Sequence, residues 1–404
     1  MFLLIDQNFS LSYKEILQKI NSSDSYTDCY IYPDLKAFFL NWILALVNDK
    51  NIALMDSDIS EKEITSNNLQ INQLISIDTP KQFNSVRELI DSIRNSQSEI
   101  TLFTSGTTGF TRKFTHPLKN LVRKINVSET RKDDVWAFAF NPTHVAGVQV
   151  FFQAILNQNL LVNVFLAPKD FIIDSIKKYK ITNLSSTPTF YRLLLPLKES
   201  FDSVTKITVG GEKSDCHLIS EIGKAFPNAR INNVYGSTET GPLFSSQNDE
   251  FFVQEKHIGL IKVVDDELYI HKDLFGQNSQ LNLIDGFYAT GDLIEWIDDE
   301  QRRFRFTSRK NELINVGGYK VNPYEVEDEL TQHENIRNVR VYAKSNAVLG
   351  NIICCEIELH PDTELKEEDV RFFLNEKIQN FKIPRKISFV DKIELTRTGK
   401  KKIV

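Results

Sequence analysis

The chain has 404 residues, 41% hydrophobic and 25% charged, near the average for globular proteins, so it can bury a sizeable core and is long enough for two or three domains. Lys and Arg number 48 against 54 Asp and Glu, a net charge of −6, and the longest basic block is Lys400-Lys401-Lys402. That balance gives no basis for nucleic-acid binding.

At the N-terminus, "MFLLIDQNFS" has no basic flank and Asp6 interrupts the apolar run, so no signal peptide is read and a cytoplasmic protein is expected. The longest apolar run, Ala37 to Val47, is too short to span a bilayer and predicts a buried helix. Cys29, Cys216, Cys354 and Cys355 lack metal-ligand spacing, and the last two sit in the strand-like "NIICCEIEL"; reduced cysteines, two of them in a core, are expected.

From residue 99 to about 236, strand-like and helix-like stretches alternate. "EITLFT", "DVWAFAF", "LLVNVFLA", "ITNLSST", "VTKITVGG" and "ARINNVYG" read as strands. "LKNLVRKI", "VAGVQVFFQAIL", "DFIIDSIKKY", "PTFYRLLLPL" and "CHLISEIGKAF" read as helices. The alternation predicts an α/β fold whose large N-terminal domain holds a mainly parallel, helix-covered sheet. Ligands of such sheets sit beyond the carboxyl ends of the strands. "TSGTTG", "GGEK" and "YGSTETG" all follow strands, so convergence on one edge is expected. Beyond residue 250, "HIGLIKVVDDELYIHK" reads as a hairpin turned at Asp265-Asp266, and short strands continue to "RRFRFTS", giving a β subdomain. Asn322, Pro323 and Glu325 form a helix start, and the remainder reads helix, strand, strand, helix, short strand. A boundary near Arg309 to Glu312 divides the chain into a large domain, 1–310, and a small α+β domain, 311–404.

Within "LFTSGTTGFTRKFTHP", six small hydroxyl or glycine residues, Thr104 to Gly109, precede Arg112, Lys113 and His116. The segment is read as having no side chains with which to build a core, and as rich in groups that hold an anion. Glycines let the backbone turn its N–H groups onto a ligand and hydroxyls add donors, the makings of a polyphosphate cradle. It is not a Walker A loop, because the Gly-Lys-Ser/Thr is absent at the required spacing. In "VYGSTETG", Tyr235 can stack on a base, Thr238 can donate to a phosphate oxygen and Glu239 can hold Mg²⁺. Asp292 in "YATGDL" can accept from two ribose hydroxyls, and Arg309 offers a fork of donors. Lys400 lies on a glycine turn near the end of the chain. Taken singly, these are equally a surface loop, two strand-end turns and a solvated lysine.

Taken in order, "TSGTTGFTRK", "NVYGSTETG", "YATGDL", "RKNELINVGGYKVNPYEVE" and "TRTGKK" resemble the motifs of the adenylate-forming (AMP-binding) superfamily of acyl- and aryl-CoA synthetases, peptide-synthetase adenylation domains and luciferases. The resemblance runs from residue 99 to the C-terminus; ahead of it, the helix-then-strand stretch looks like a shortened form of the family's start. It implies that a carboxylate attacks the α-phosphate of ATP, pyrophosphate leaves, and a thiol then takes the acyl group from AMP. Thr104, Ser105, Gly106, Thr107, Thr108 and Gly109, with Arg112, would hold the departing phosphates. Thr238 and Glu239 would handle the α-phosphate and Mg²⁺. Asn233 and Tyr235, with Gly236 and Ser237 in the same turn, would face the adenine beside Gly211 and Glu212; Asp292 and Arg309 would hold the ribose. Lys400 would reach in from a small mobile domain to neutralise charge. Thr111 and Arg112 replace the usual Pro-Lys, Lys113 comes one residue late, and Asn311 replaces the usual hinge Asp or Lys.

His144 in "NPTHVAGVQVFF" matches the histidine that precedes a pocket-lining helix in acyl- and aryl-CoA ligases. No aspartate for a substrate amine is found nearby, which argues against an α-amino acid. The compact length resembles o-succinylbenzoate–CoA ligases and short aryl or fatty-acid synthetases. Three readings are carried: a ligase making an acyl- or aryl-CoA from a small carboxylic acid, the same chemistry loading the phosphopantetheine of an acyl carrier protein, and a nucleotide-binding scaffold that has lost catalysis.

Overall fold

A computed structural model describes residues 2–31, 34–56, 59, 61–66, 69–105, 111–123, 125–275, 282–298, 300, 302–346, 350–375, 377–396 and 399–402, with backbone alone at 62, 63, 66, 104, 105, 111 and 112. Among the described residues the largest sheet has eight strands, ordered Gly241–Ser246, Arg230–Ser237, Lys206–Gly210, Asn183–Ser186, Val135–Phe138, Leu160–Asn163, Phe2–Ile5 and Ser10–Ser12. Its six inner strands are parallel and both edge strands antiparallel. The parallel run follows from crossover helices, which read as predicted: Val145–Leu156, Lys169–Tyr179, Pro188–Leu194 and Cys216–Ala225. Thr187 and Asp215 cap two of them by accepting from the N–H groups of Phe190 and Leu218.

"EITLFT" departs from the single-sheet expectation. It forms Glu99–Ser105 in a second sheet, between Ile52–Met55 and Thr111–Pro117. The latter strand pairs antiparallel with it, Thr104 opposite Arg112 and Ser105 opposite Thr111. The glycine-rich stretch therefore connects the two arms of a hairpin. The expectation that this segment builds no core is also corrected: Leu102 and Phe114 are fully buried. Alternation on the arms explains it, because these residues face each other on the inner side of the pair.

Helices Leu35–Val47, Val86–Asn95 and Val145–Leu156 contribute to the core that these two sheets share. The first is apolar nearly all round and is buried from Phe38 onward apart from Leu40 and Asn41. Its Phe39 and Trp42 stack on Phe151 at ring-centroid distances of 4.7 and 4.2 Å. Gly147, in the first turn of helix Val145–Leu156, packs against the loop that precedes that helix. A Cβ there would stand 2.1 Å from the Asn141 carbonyl oxygen and 2.9 Å from its carbon, both backbone atoms. Gly147→Ala is therefore expected to cost about 3 kcal/mol, at the upper end for overpacking, as a lower urea midpoint with an unchanged slope.

The antiparallel β subdomain contains Glu250–Phe252, Arg303–Arg309, Phe287–Asp298, Glu267–His271 and Ile261–Val264. Its predicted hairpin turns at Asp265 and Asp266, both at positive φ (51° and 62°). The C-terminal region has a separate core over Ile314 to Ile387. Asn322 caps helix Pro323–Leu330, as its sequence predicts, and also donates to the Thr307 carbonyl at 3.0 Å. Cys354 and Cys355 are buried; so is Cys29, while Cys216 is exposed. No described helix is long and apolar enough to cross a membrane.

Candidate active site

Strand Lys206–Gly210 ends at Gly211, whose φ of +87° turns the chain sharply out of the sheet. A methyl group placed on Gly211 would lie 3.6 Å from Lys400 Cε and 3.9 Å from its Nζ, so the near-terminal lysine reaches the carboxyl end of the large sheet. Its turn is closed by hydrogen bonds from Thr396 N to Lys400 O (2.6 Å) and from Gly399 N to Thr396 O (2.9 Å). The neighbouring lysines are engaged elsewhere: Lys401 with Glu327 at 2.5 Å, Lys402 with Glu394 at 3.2 Å. Burial pulls the Lys400 ammonium below the usual lysine range, opposed by Glu212 and reinforced by Arg309.

Glu212 ties the two parts of the chain together. One oxygen accepts from Thr189 N at 3.1 Å, the other from Lys401 N at 3.4 Å. Lys213 pairs with Asp328 at 3.0 Å, and Arg337 donates to Leu193 O at 3.0 Å. Among the described residues these polar contacts join the C-terminal region to helix Pro188–Leu194 and to the turn after Lys206–Gly210.

Asp292 and Arg309 are directly opposite on paired strands. Arg309 Nε donates to Asp292 Oδ1 at 2.6 Å, and Tyr235 Oη donates to Oδ2 at 2.6 Å. Burial opposes the charge on Arg309, but the adjacent carboxylate holds it firmly protonated. A carboxylate offers about four acceptor positions, so Asp292 retains capacity for further donors. Tyr235 is stacked on Phe306 at 4.1 Å with an interplanar angle of 18°, so one ring face is covered by protein. Glu312 lies nearby; burial raises its pKa, and hydrogen bonding to Tyr324 and the charge of Arg309 only partly offset this.

Along Arg230–Ser237, Asn233 donates to Asn248 O at 2.9 Å. Gly236 passes close to its partner strand: a Cβ there would meet Gly241 O at 2.7 Å. Ser237 closes the following turn by accepting from Thr240 N at 3.3 Å. Thr238 is buried and Glu239 half-buried, and no hydrogen bond or ion pair engages the Glu239 carboxylate among the described residues. His116 Nε2 donates to Thr238 O at 2.8 Å, joining the glycine-rich hairpin to this turn. Sequence reading counted His116 only among anion-holding groups; nothing in the sequence signals a partner 122 positions away. Burial lowers its pKa, against the hydrogen bond to Thr238 and the charge of Glu239. Gly106, Thr107, Thr108 and Gly109 lie outside the described residues, as do the side chains of Thr104, Ser105 and Arg112.

His144 caps helix Val145–Leu156, its Nδ1 accepting from Ala146 N at 3.4 Å. The loop before it is braced by Asp56, whose Oδ1 accepts from Asn141 Nδ2 (2.6 Å) and Thr143 Oγ1 (2.7 Å). Burial, then the charge of Lys400, pulls the His144 pKa down to about 3. A depressed folded-state pKa contributes stability that is present above the ordinary histidine value and fades as pH falls toward the folded value. His144 is only half-buried by its surface area, and solvent screening reduces the effect to roughly 1 kcal/mol between pH 7 and 5. His144→Asn retains a capping side chain and is expected to lose about that much less stability over this interval, read from paired urea titrations.

The sequence matches the AMP-binding enzyme family over residues 36–279 and the AMP-binding enzyme C-terminal domain over residues 325–400. It is 24% identical over 388 residues to 4-coumarate–CoA ligase-like 3 of Arabidopsis thaliana, spanning 87% of this chain and 70% of that protein. It is 26% identical over 326 residues to 2-succinylbenzoate–CoA ligase of Staphylococcus epidermidis, spanning 74% and 67%. In fold it is similar to the solved o-succinylbenzoate coenzyme A synthetase of Bacillus subtilis in complex with ATP and magnesium ion, with a TM-score of 0.69, 16% identity and coverage of 99% and 95%. A strand end at Gly211, a paired aspartate and arginine, and a lysine brought to that strand end from the C-terminal region agree with these matches: the chain belongs to the AMP-binding enzyme family of adenylate-forming proteins.

Proposed function

We propose that the chain is an ATP-dependent carboxylic acid–thiol ligase. It joins an acyl or aryl carboxylate to the α-phosphate of ATP with loss of pyrophosphate, then passes the acyl group to the sulfur of coenzyme A with loss of AMP. The observation that carries this reading is the docking of Lys400 at Gly211, at the carboxyl end of the large sheet, where it feels the charges of Glu212, Arg309 and Asp292. A binding scaffold has no need of a buried ammonium there. The names of the relatives, which are CoA ligases, favour coenzyme A as the acceptor.

In this account Asp292 and Arg309 hold the ribose, and Tyr235 is fixed by Asp292 and Phe306 so that its free face and Asn233 border the adenine. Thr238 donates to the α-phosphate, and the hairpin carrying Thr104 to Gly109 and Arg112 holds the leaving phosphates. Lys400 offsets the negative charge that builds as carboxylate and phosphate approach; in a water-poor crevice such stabilisation is worth a few kcal/mol. His144, neutral at physiological pH, borders the acid without adding charge. No group of three metal-binding side chains occurs among the described residues. Mg²⁺ commonly uses one or two carboxylates together with substrate phosphates. Glu239 fits as that carboxylate, and the ion would supply neutralisation of phosphate charge. After the first step the small domain swings, taking Lys400 away and opening the crevice to the thiol.

The test is pyrophosphate release from ATP and Mg²⁺ across aryl, fatty and succinyl-aryl acids, with and without coenzyme A. Release is expected with one class of acid, turning over repeatedly only when coenzyme A is present. Release indifferent to coenzyme A would redirect the second step to a carrier-protein thiol, and ATP binding without release for any acid would remove the ligase reading.

A further inference from the structure

Next to the Thr238 turn lies a cavity of about 200 Å³ whose residues the account above leaves largely without a role. Its walls include His116, Asn120, Arg123, Gln149, Thr240 and Pro242. Thr240 and Pro242 follow directly on the proposed α-phosphate residues, and His116 is hydrogen-bonded to Thr238 itself. The cavity thus adjoins the turn assigned to the α-phosphate.

Its size and chemistry are both restrictive. At about 200 Å³ it is smaller than the usual pocket for a drug-sized ligand, ~300–1,000 Å³. Much of its lining is polar: no hydrogen bond or ion pair engages the side chains of Asn120 and Arg123 among the described residues. Gln149 spends its amide N–H on Leu121 O at 2.9 Å and keeps its oxygen. A guanidinium is always charged and its planar fork matches a carboxylate. Asn120 and Arg123 are exposed and hydrated, and a hydrocarbon tail laid against them would displace that hydration without replacing its hydrogen bonds. The one acidic side chain on the described wall, Asp273, is exposed and directed at His271 Nδ1, 3.3 Å away.

We propose that this cavity receives the far end of the acid, and that the acid is compact and bears a second carboxylate, which Arg123 pairs and Asn120 assists. The inference rests on the ligase reading and narrows its substrate class. It disfavours long-chain fatty acids, because the volume is small and Arg123 stands on the wall.

The experiment is acid-dependent pyrophosphate release by the full chain with matched acids: short aliphatic and aryl dicarboxylates, the corresponding monocarboxylates, and a twelve-carbon fatty acid. Dicarboxylates are expected to be preferred. Arg123→Ala is expected to raise their KM about 3–10-fold, with the KM for ATP unchanged and the monocarboxylates unaffected, and Arg123→Lys to recover part of the loss. Arg123 is exposed, so the variants should fold normally. Preference for the fatty acid, or equal loss for every acid in Arg123→Ala, overturns this assignment while leaving the ligase reading intact. Release with no acid at all in the wild type overturns the ligase reading and this assignment with it.

Discussion

Lys400→Ala is expected to slow acid-dependent pyrophosphate release about 10²–10³-fold while ATP affinity changes only a few-fold, the signature of an interaction made in the transition state. Lys400 alone of the three terminal lysines enters the crevice, since Lys401 and Lys402 are paired with Glu327 and Glu394. Its direction of titration adds a second readout. Burial lowers its pKa, so the cation is lost at lower pH than in a solvated lysine. A rate that depends on the cation should therefore fall on the alkaline side, beginning below the ordinary lysine range of about 10.4. Lys400→Arg, which stays charged, should move that fall to higher pH even if its rate at neutral pH is reduced. A wild-type rate in Lys400→Ala would show that the docked ammonium has no part in the chemistry.

Asp292→Ala is expected to weaken ATP binding about 10–100-fold, since a hydrogen bond to a charged group contributes roughly 1.5–3 kcal/mol. The carboxylate orders two neighbours besides any ribose: Arg309 at 2.6 Å and Tyr235 at 2.6 Å. Removing it leaves Arg309 without its counter-charge and frees the ring that stacks on Phe306. Tyr235→Phe, which deletes only the hydroxyl, should cost less. Calorimetry of ATP binding on Asp292→Ala, Arg309→Ala and the double variant should show strong coupling, the second change costing little once the first is made. Additive losses would mean that the two residues do not act as a unit on the nucleotide.

Local chemistry explains which parts of the fold could be read from the sequence. Helices Val145–Leu156 and Cys216–Ala225 fall where the apolar pattern places them, the turn at Asp265-Asp266 takes the left-handed backbone its residue type tolerates, and Asn322-Pro323 starts a helix because the cap and the fixed proline φ agree. What escaped was non-local. Glu99–Ser105 has the same texture as Lys206–Gly210 but pairs in a different sheet, and strand texture does not state which strand is its neighbour. Thr111–Pro117 was hidden because Phe114 is its only large apolar residue, among Thr, Arg, Lys and His, so no alternation shows. The contacts that join parts of the candidate site, His116 to Thr238, Glu212 to both Thr189 and Lys401, and Phe306 under Tyr235, span tens to hundreds of residues and leave no local mark.

The step on which the proposed function turns is transfer of AMP to a carboxylic acid. Exchange of labelled pyrophosphate into ATP, measured with Mg²⁺ and an acid but without any thiol, tests that step alone. Exchange is expected to require the acid, to be fastest with a compact dicarboxylate, and to fall about 10²–10³-fold in Lys400→Ala. An absence of exchange for every acid in a protein that binds ATP, or release of ADP and phosphate in its place, would contradict the proposed function.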